Sequence, residues 1–178
     1  MPVDEEFFRR FRFADDDLAE VQAEIAADRA VVAGAGPESS SADLLEALIG
    51  LGENLIPLDR EAEAAAHLAA ALTLARQLGD QDQEIGALLH LATARQYLGE
   101  RETAQELFQA GLDLSDASGI EMHRHFLLHH RGRCYAEQGQ LAAARGCFEQ
   151  ALALRQAGYP RFVASSRGAL ADLGSRVS

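Results

Sequence analysis

Residues 123–133 read HRHFLLHHRGR and hold four of the chain's six histidines, with Arg124, Arg131 and Arg133 among them. Imidazole can ligate a metal or carry a proton near neutral pH, and guanidinium suits bidentate contact with carboxylates. Three chemistries follow. The first is a metal site: Glu121, His125 and His129 recur every four residues and would share a helix face, and two histidines at that spacing suit zinc. Glu121 and His129 lie two turns apart, so a further ligand such as His90 would have to arrive from elsewhere, and no His-Glu-x-x-His arrangement supports a hydrolytic metal. The expectation is no metal, with His125 and His129 as the pair to check. The second is nucleophilic catalysis, since Cys134 follows His130 by four residues. Its neighbours Gly132 and Tyr135 make it read as a small buried residue, as Cys147 beside Phe148 also does. The third is recognition, in which histidines and arginines wall a binding groove.

Composition narrows the choice. The chain has 178 residues and a formal charge of −12, which repels a phosphate backbone over most of the surface and argues against nucleic acid or an anionic membrane as partner. All sixteen basic residues are arginine. Schiff-base chemistry, a phosphate-loop lysine and a lysine general base are therefore excluded. No glycine-rich phosphate loop, nucleophile elbow or paired-carboxylate motif is found, so neither catalysis nor a cofactor is expected. No apolar run approaches the roughly 18 residues of a membrane span. The opening MPVDEEFFRR carries acids where a secretory leader carries basic residues, and the two cysteines form no redox or zinc motif. The expected location is cytoplasmic, with both thiols free.

Apolar periodicity near 3.6 residues, broken only where Gly and Pro fall, predicts helices at about 15–32, 42–56, 60–78, 83–98, 102–115, 121–137, 141–156 and 161–173. No stretch alternates as a strand would. The one linker-like segment is GAGPESSS at 34–41, whose serines can cap the following helix. LGERETAQELFQAGLDL from Leu98 aligns with QGQLAAARGCFEQALAL from Gln138, pairing Gly99 with Gly139, Ala104 with Ala144, Phe108 with Phe148 and Leu112 with Leu152 at an offset of 40. A third copy begins at Leu58, where Ala64, Leu68, Ala71 and Leu72 hold the corresponding places. Such self-similarity marks stacked repeats.

These residues resemble the tetratricopeptide repeat (TPR), a helix-turn-helix unit, in a long variant. Leu51-Gly52 with Leu55, Leu91-Ala92 with Gly99, and Gly132 with Tyr135 and Gly139 match the first half of its pattern. The alanines and phenylalanines above match the second. Three features depart from it: there is no Trp, Arg95 and Arg131 stand where an apolar residue is usual, and Asp59 replaces the turn glycine of the first copy. The resemblance implies an all-α, right-handed α-solenoid of TPR-like hairpins. Residues 1–40 would form an aromatic segment and an N-terminal capping helix. Residues 41–178 would hold three repeats at about 42–79, 82–119 and 121–157, with a C-terminal capping helix at 160–175. Phe7, Phe8, Phe11 and Phe13 would cap the first hairpin, contact a second copy as a homodimer, or stay mobile.

The resemblance also implies that the first helix of each repeat lines a concave groove. Its wall would then comprise Phe126, His129, His130 and Arg133 from the third repeat, His90, Thr93, Gln96 and Tyr97 from the second, and Glu53 from the first. Residues 120–150 carry four arginines against three acids, whereas residues 1–40 carry ten acids against four arginines. The expected function is thus a non-catalytic scaffold for a protein or peptide, with His129, His130 and Arg133 receiving an acidic or C-terminal carboxylate group. The alternative is a sensor domain whose groove binds a small ligand or peptide and controls a partner protein.

Overall fold

The computed structural model describes residues 13–36 and 38–176, so the expectation for Phe7, Phe8 and Phe11 lies outside the described residues. Phe13 is half-buried against the first core cluster. Eight α-helices follow in order: α1 Leu18–Ala33, α2 Ser41–Leu55, α3 Glu61–Leu78, α4 Gln81–Tyr97, α5 Arg101–Ser118, α6 Arg124–Glu137, α7 Leu141–Gly158 and α8 Val163–Arg176. There is no strand among the described residues. Each helix packs on its chain neighbours, and the first helices of successive hairpins, α2 with α4 and α4 with α6, also touch. The result is an α-solenoid of helical hairpins.

Local chemistry explains where the helices stop and start. The Ser40 side chain accepts the Asp43 N–H at 3.3 Å and caps α2, and Asp80 accepts the Gln83 N–H at 3.1 Å to cap α4. Left-handed backbone recurs every twenty residues, at Asp59, Gly79, Gly99, Gly119 and Gly139, with φ between 60° and 82°. After four of these turns, the N–H of Arg60, Asp80, Glu100 and Gln140 reaches back to the carbonyl five residues earlier, the closure typical of a Schellman end. The forty-residue repeat is therefore two twenty-residue helix units of equal length. Asp59 adopts the same turn as the glycines, which Asp tolerates better than most side chains.

The departures lie at the ends of elements. α1 is preceded by a 3-10 turn at Asp15–Asp17, and α8 by another at Pro160–Phe162, where the missing proline N–H costs nothing. α6 begins at Arg124 rather than Glu121, because Gly119 ends α5 in the left-handed region and the chain turns through Glu121 and Met122 before His123.

Packing within each hairpin repeats the same small-against-large contact. Gly52, Ala92 and Gly132 occupy equivalent places on α2, α4 and α6, facing the register of Leu68, Phe108 and Phe148, all of which are fully buried. A Cβ on Gly52 would lie 2.3 Å from Leu68, and one on Gly132 would lie 2.9 Å from the Phe148 ring. Ala64, Ala104 and Ala144 are likewise fully buried. Gly52→Ala should therefore destabilise the protein. Overpacking costs about 1–3 kcal/mol, more than the gain of about 1 kcal/mol in helix propensity can offset. Urea unfolding checks this; a variant as stable as the wild type would mean that Leu68 moves aside freely.

Candidate functional site

Polar side chains converge where α2, α4 and α6 adjoin. Asp82, Gly86 and His90 recur every four residues along one face of α4. The missing side chain of Gly86 leaves room for the ring of His123, whose Cε1 would lie 3.6 Å from a Cβ placed there. From this position His123 Nε2 approaches Asp82 Oδ1 at 3.4 Å. On the other side His90 Nε2 meets Glu53 Oε1 from α2 at 2.8 Å. The hydrogen bond from His90 holds the Glu53 carboxyl below its usual range. Burial, opposed in part by Asp82, pushes His123 below its usual value.

A second set fixes the far end of α4. Gln96 donates to Glu137 Oε1 at 2.8 Å, and Arg101 on α5 donates to Glu137 Oε2 at 3.3 Å. Arg133 stacks on Tyr97, its guanidinium carbon 5.6 Å from the ring centre. Glu137 thus ties α4, α5 and α6 together.

Of the nine residues expected on the groove wall, Glu53, His90, Tyr97, Phe126 and His130 keep partial exposure. Thr93, Gln96, His129 and Arg133 are buried instead. Each has a local physical reason. Thr93 Oγ1 donates to its own helix at the Leu89 carbonyl, 2.9 Å away, and Gln96 is engaged by Glu137. Arg133 is covered where α6 meets α4, and His129 turns toward α7 and α8. Burial, with Arg133 beside it, drives His130 well below its usual pKa, so it stands as a neutral half-buried imidazole.

His125 and His129 do share a face of α6, but that face meets Arg155 of α7. Arg155 Nε donates to His125 Nδ1 at 3.2 Å, and Arg155 Nη1 lies 3.1 Å from His129 Nδ1. A guanidinium between two imidazoles disfavours a second cation, and among the described residues no three His, Cys, Asp or Glu side chains converge as a metal site. Burial first, and Arg155 second, lower His125 to about 4 and His129 to about 3. Cys134 is buried with its thiol pushed up to about 12, and burial raises Cys147 as well, so neither supplies a thiolate.

Sequence reasoning missed the Arg155 cluster. Arg155 is 2% exposed, and its Nη1 also lies within 2.8–3.3 Å of Ser166 Oγ, Ser165 Oγ and the Phe162 carbonyl. A signal existed: forty and eighty residues earlier the same register holds Ser115 and Ala75, both buried. An arginine at a repeat position otherwise reserved for small residues marks a changed helix interface. The structure changes there, because a 3-10 turn at Pro160–Phe162 leads into α8, whose Ser165 and Ser166 receive Arg155.

Comparison with known proteins supports this architecture. Residues 125–157 match the model of the tetratricopeptide repeat family. The TPR domain of Arabidopsis FLU superposes with a TM-score of 0.63 at 20% identity, over 66% of this chain and 99% of that one. Two structures of the nearly identical TPR-like repeats of a Podosopora anserina putative kinesin light chain give TM-scores of 0.68 and 0.65 at 18% identity. They cover 88% of this chain and 78% and 79% of theirs. No curated protein matches. At such identities the likeness speaks for fold alone. No helix among the described residues is long and apolar enough to cross a membrane. Residues 125–157 thus match the tetratricopeptide repeat, and they lie within an α-solenoid of helical hairpins whose fold is that of solved TPR structures.

Proposed function

We propose that this chain is a non-catalytic cytoplasmic scaffold that takes a segment of a partner protein along α2, α4 and α6, with α1 and α8 closing the ends of three repeats. The observation that carries this reading is the row Glu53, His90 and His123. It runs from α2 across α4 to the residue that precedes α6, through a contact of 2.8 Å between His90 and Glu53 and an imidazole seated over Gly86. Partly exposed hydrogen-bonding groups on a rigid helical wall can pair with an extended segment at little ordering cost. Tyr97, Phe126 and His130 supply partly exposed ring surface along the same helices. An acidic group on the partner would suit the N–H of His90 better than a basic one.

Replacing Glu53 by Gln together with His90 by Ala tests this. Partner proteins captured from the native host would be identified, and the affinity of the captured segment measured with wild-type and variant protein. The expected result is at least a tenfold weaker Kd, the loss of about one good charge-assisted contact, with unchanged far-UV circular dichroism. Unaltered affinity would move the contact surface away from α2 and α4.

A further inference from the structure

We infer that the seam between α6, α7 and α8 is an oxyanion site, in which Arg155, Arg161 and the Nε2 edge of His125 receive a carboxylate or phosphate group. It rests on the interaction-module reading only for the source of that group.

Arg155 is an uncompensated charge. Arg155 is almost wholly buried, yet its hydrogen bonds go only to neutral partners: His125, His129, Ser165, Ser166 and the Phe162 carbonyl. No ion pair to an acid forms among the described residues. A buried charge ordinarily requires an opposite one. Acids are not scarce in this chain, and Arg29, Arg76, Arg95, Arg101 and Arg124 each pair with one. The region around Arg155 is different. Residues 120–178 hold eight of the sixteen arginines but only four of the twenty-eight acids.

Unused donors point the same way. The contacts of Arg155 use Nε and Nη1, while Nη2, which carries two further N–H groups, makes no hydrogen bond among the described residues. His125 accepts from Arg155 at Nδ1, so its proton sits on Nε2. That Nε2 is buried without a partner on a side chain only 1% exposed. Arg161, exposed at the rim, lies 4.6 Å from the centre of the Phe162 ring, against which Arg155 also stacks at 5.5 Å. Two cations therefore share one aromatic ring, and neither pairs with an acid among the described residues. An oxyanion entering beside Phe162 would supply the missing negative charge and accept the idle N–H groups at once, the pairing for which guanidinium geometry is suited.

The test uses the full chain labelled with ¹⁵N at arginine, at pH 7. Sodium acetate and sodium phosphate are titrated separately against sodium chloride at constant ionic strength. Saturable shifts of the Arg155 and Arg161 side-chain resonances are expected in at least one arm. The acetate arm identifies a carboxylate and the phosphate arm a phosphate. Arg161→Ala, at an exposed position, should weaken binding about tenfold with helicity unchanged, and Arg155→Lys should abolish the shifts. Shifts that grow linearly and equally at the exposed Arg145 and Arg167 would reduce the effect to screening and overturn the proposal, as would an Arg161→Ala variant that binds like the wild type. Failure of partner binding to respond at Glu53 and His90 leaves these shifts intact, and absent shifts leave binding through α2 and α4 intact, so the two readings fail separately.

Discussion

Phe148→Ala is expected to cost about 3–5 kcal/mol, the range for emptying a fully buried aromatic site, and to unfold the C-terminal hairpin ahead of the rest. The ring has no exposure and fills the space between α6 and α7 that Gly132 leaves open. Its centre lies 5.2 Å from that of His129, and its cluster includes Ala136, Ala144, Ala169 and Leu173. Removing it therefore unseats α8 as well as the α6–α7 contact. A domain of this kind has only about 5–15 kcal/mol in total. Stability in stacked repeats sums over units and their interfaces, so the loss should stay local. Hydrogen exchange should show early exchange in α6, α7 and α8 while α2, α3 and α4 remain protected. Phe148→Leu, which copies Leu68 of the first hairpin, should cost less than about 1.5 kcal/mol. Uniform exchange throughout the chain would show that the hairpins unfold as one unit.

The fold was legible because it is periodic. Each small–large pair, from Gly52 and Leu68 to Gly132 and Phe148, recurs at forty residues, and every recurrence corroborates the others. Even the replacement of a turn glycine by Asp59 left the left-handed turn in place. Helix edges were less legible, since the start of α6 depends on how the chain leaves Gly119 and not on periodicity. The candidate site was legible by element but only partly by face. A helix of alternating polar and apolar residues such as α6 has several faces that could point inward. HRHFLLHHRGR sends His123 toward α4, His125 and His129 toward Arg155, and Arg131 toward Gln105 and Tyr135. Which histidine goes where is decided by partners on α4, α7 and α8, dozens of residues away. Arg155 itself was hidden because one charged residue in α7 looks like any solvated one until its register with Ser115 and Ala75 is considered.

Acidification should destabilise the protein well above the range where its carboxylates protonate. His125 and His129 have ordinary values of 6.5 but are held at about 4 and about 3 in the folded chain. Their surroundings are the cause: burial, and the cations Arg155 from α7, Arg133 on α6 and Arg161 beside α8, with His123 and the neutral Ser166, Tyr159 and Phe162 completing the shell. Both imidazoles accept from Arg155 through Nδ1 and cannot take a proton there without losing that bond. Below pH 6.5 the unfolded chain therefore binds two protons that the folded chain refuses, and stability falls as pH falls. It is fully present above 6.5 and lost toward the folded values of about 4 and 3. At about 1.4 kcal/mol per pH unit per proton, the pair should remove roughly 3–4 kcal/mol between pH 7 and pH 5. His130 and His123, also lowered by burial, act in the same direction. Glu53, held below its ordinary 4.5, begins to contribute only in more acid solution, so a urea series between pH 7 and pH 5 isolates the histidines. A His125→Asn, His129→Gln variant should make that series shallower, leaving the part due to His130 and His123. A wild-type midpoint independent of pH over the same range would mean that the imidazoles titrate freely and that α8 is not seated on them.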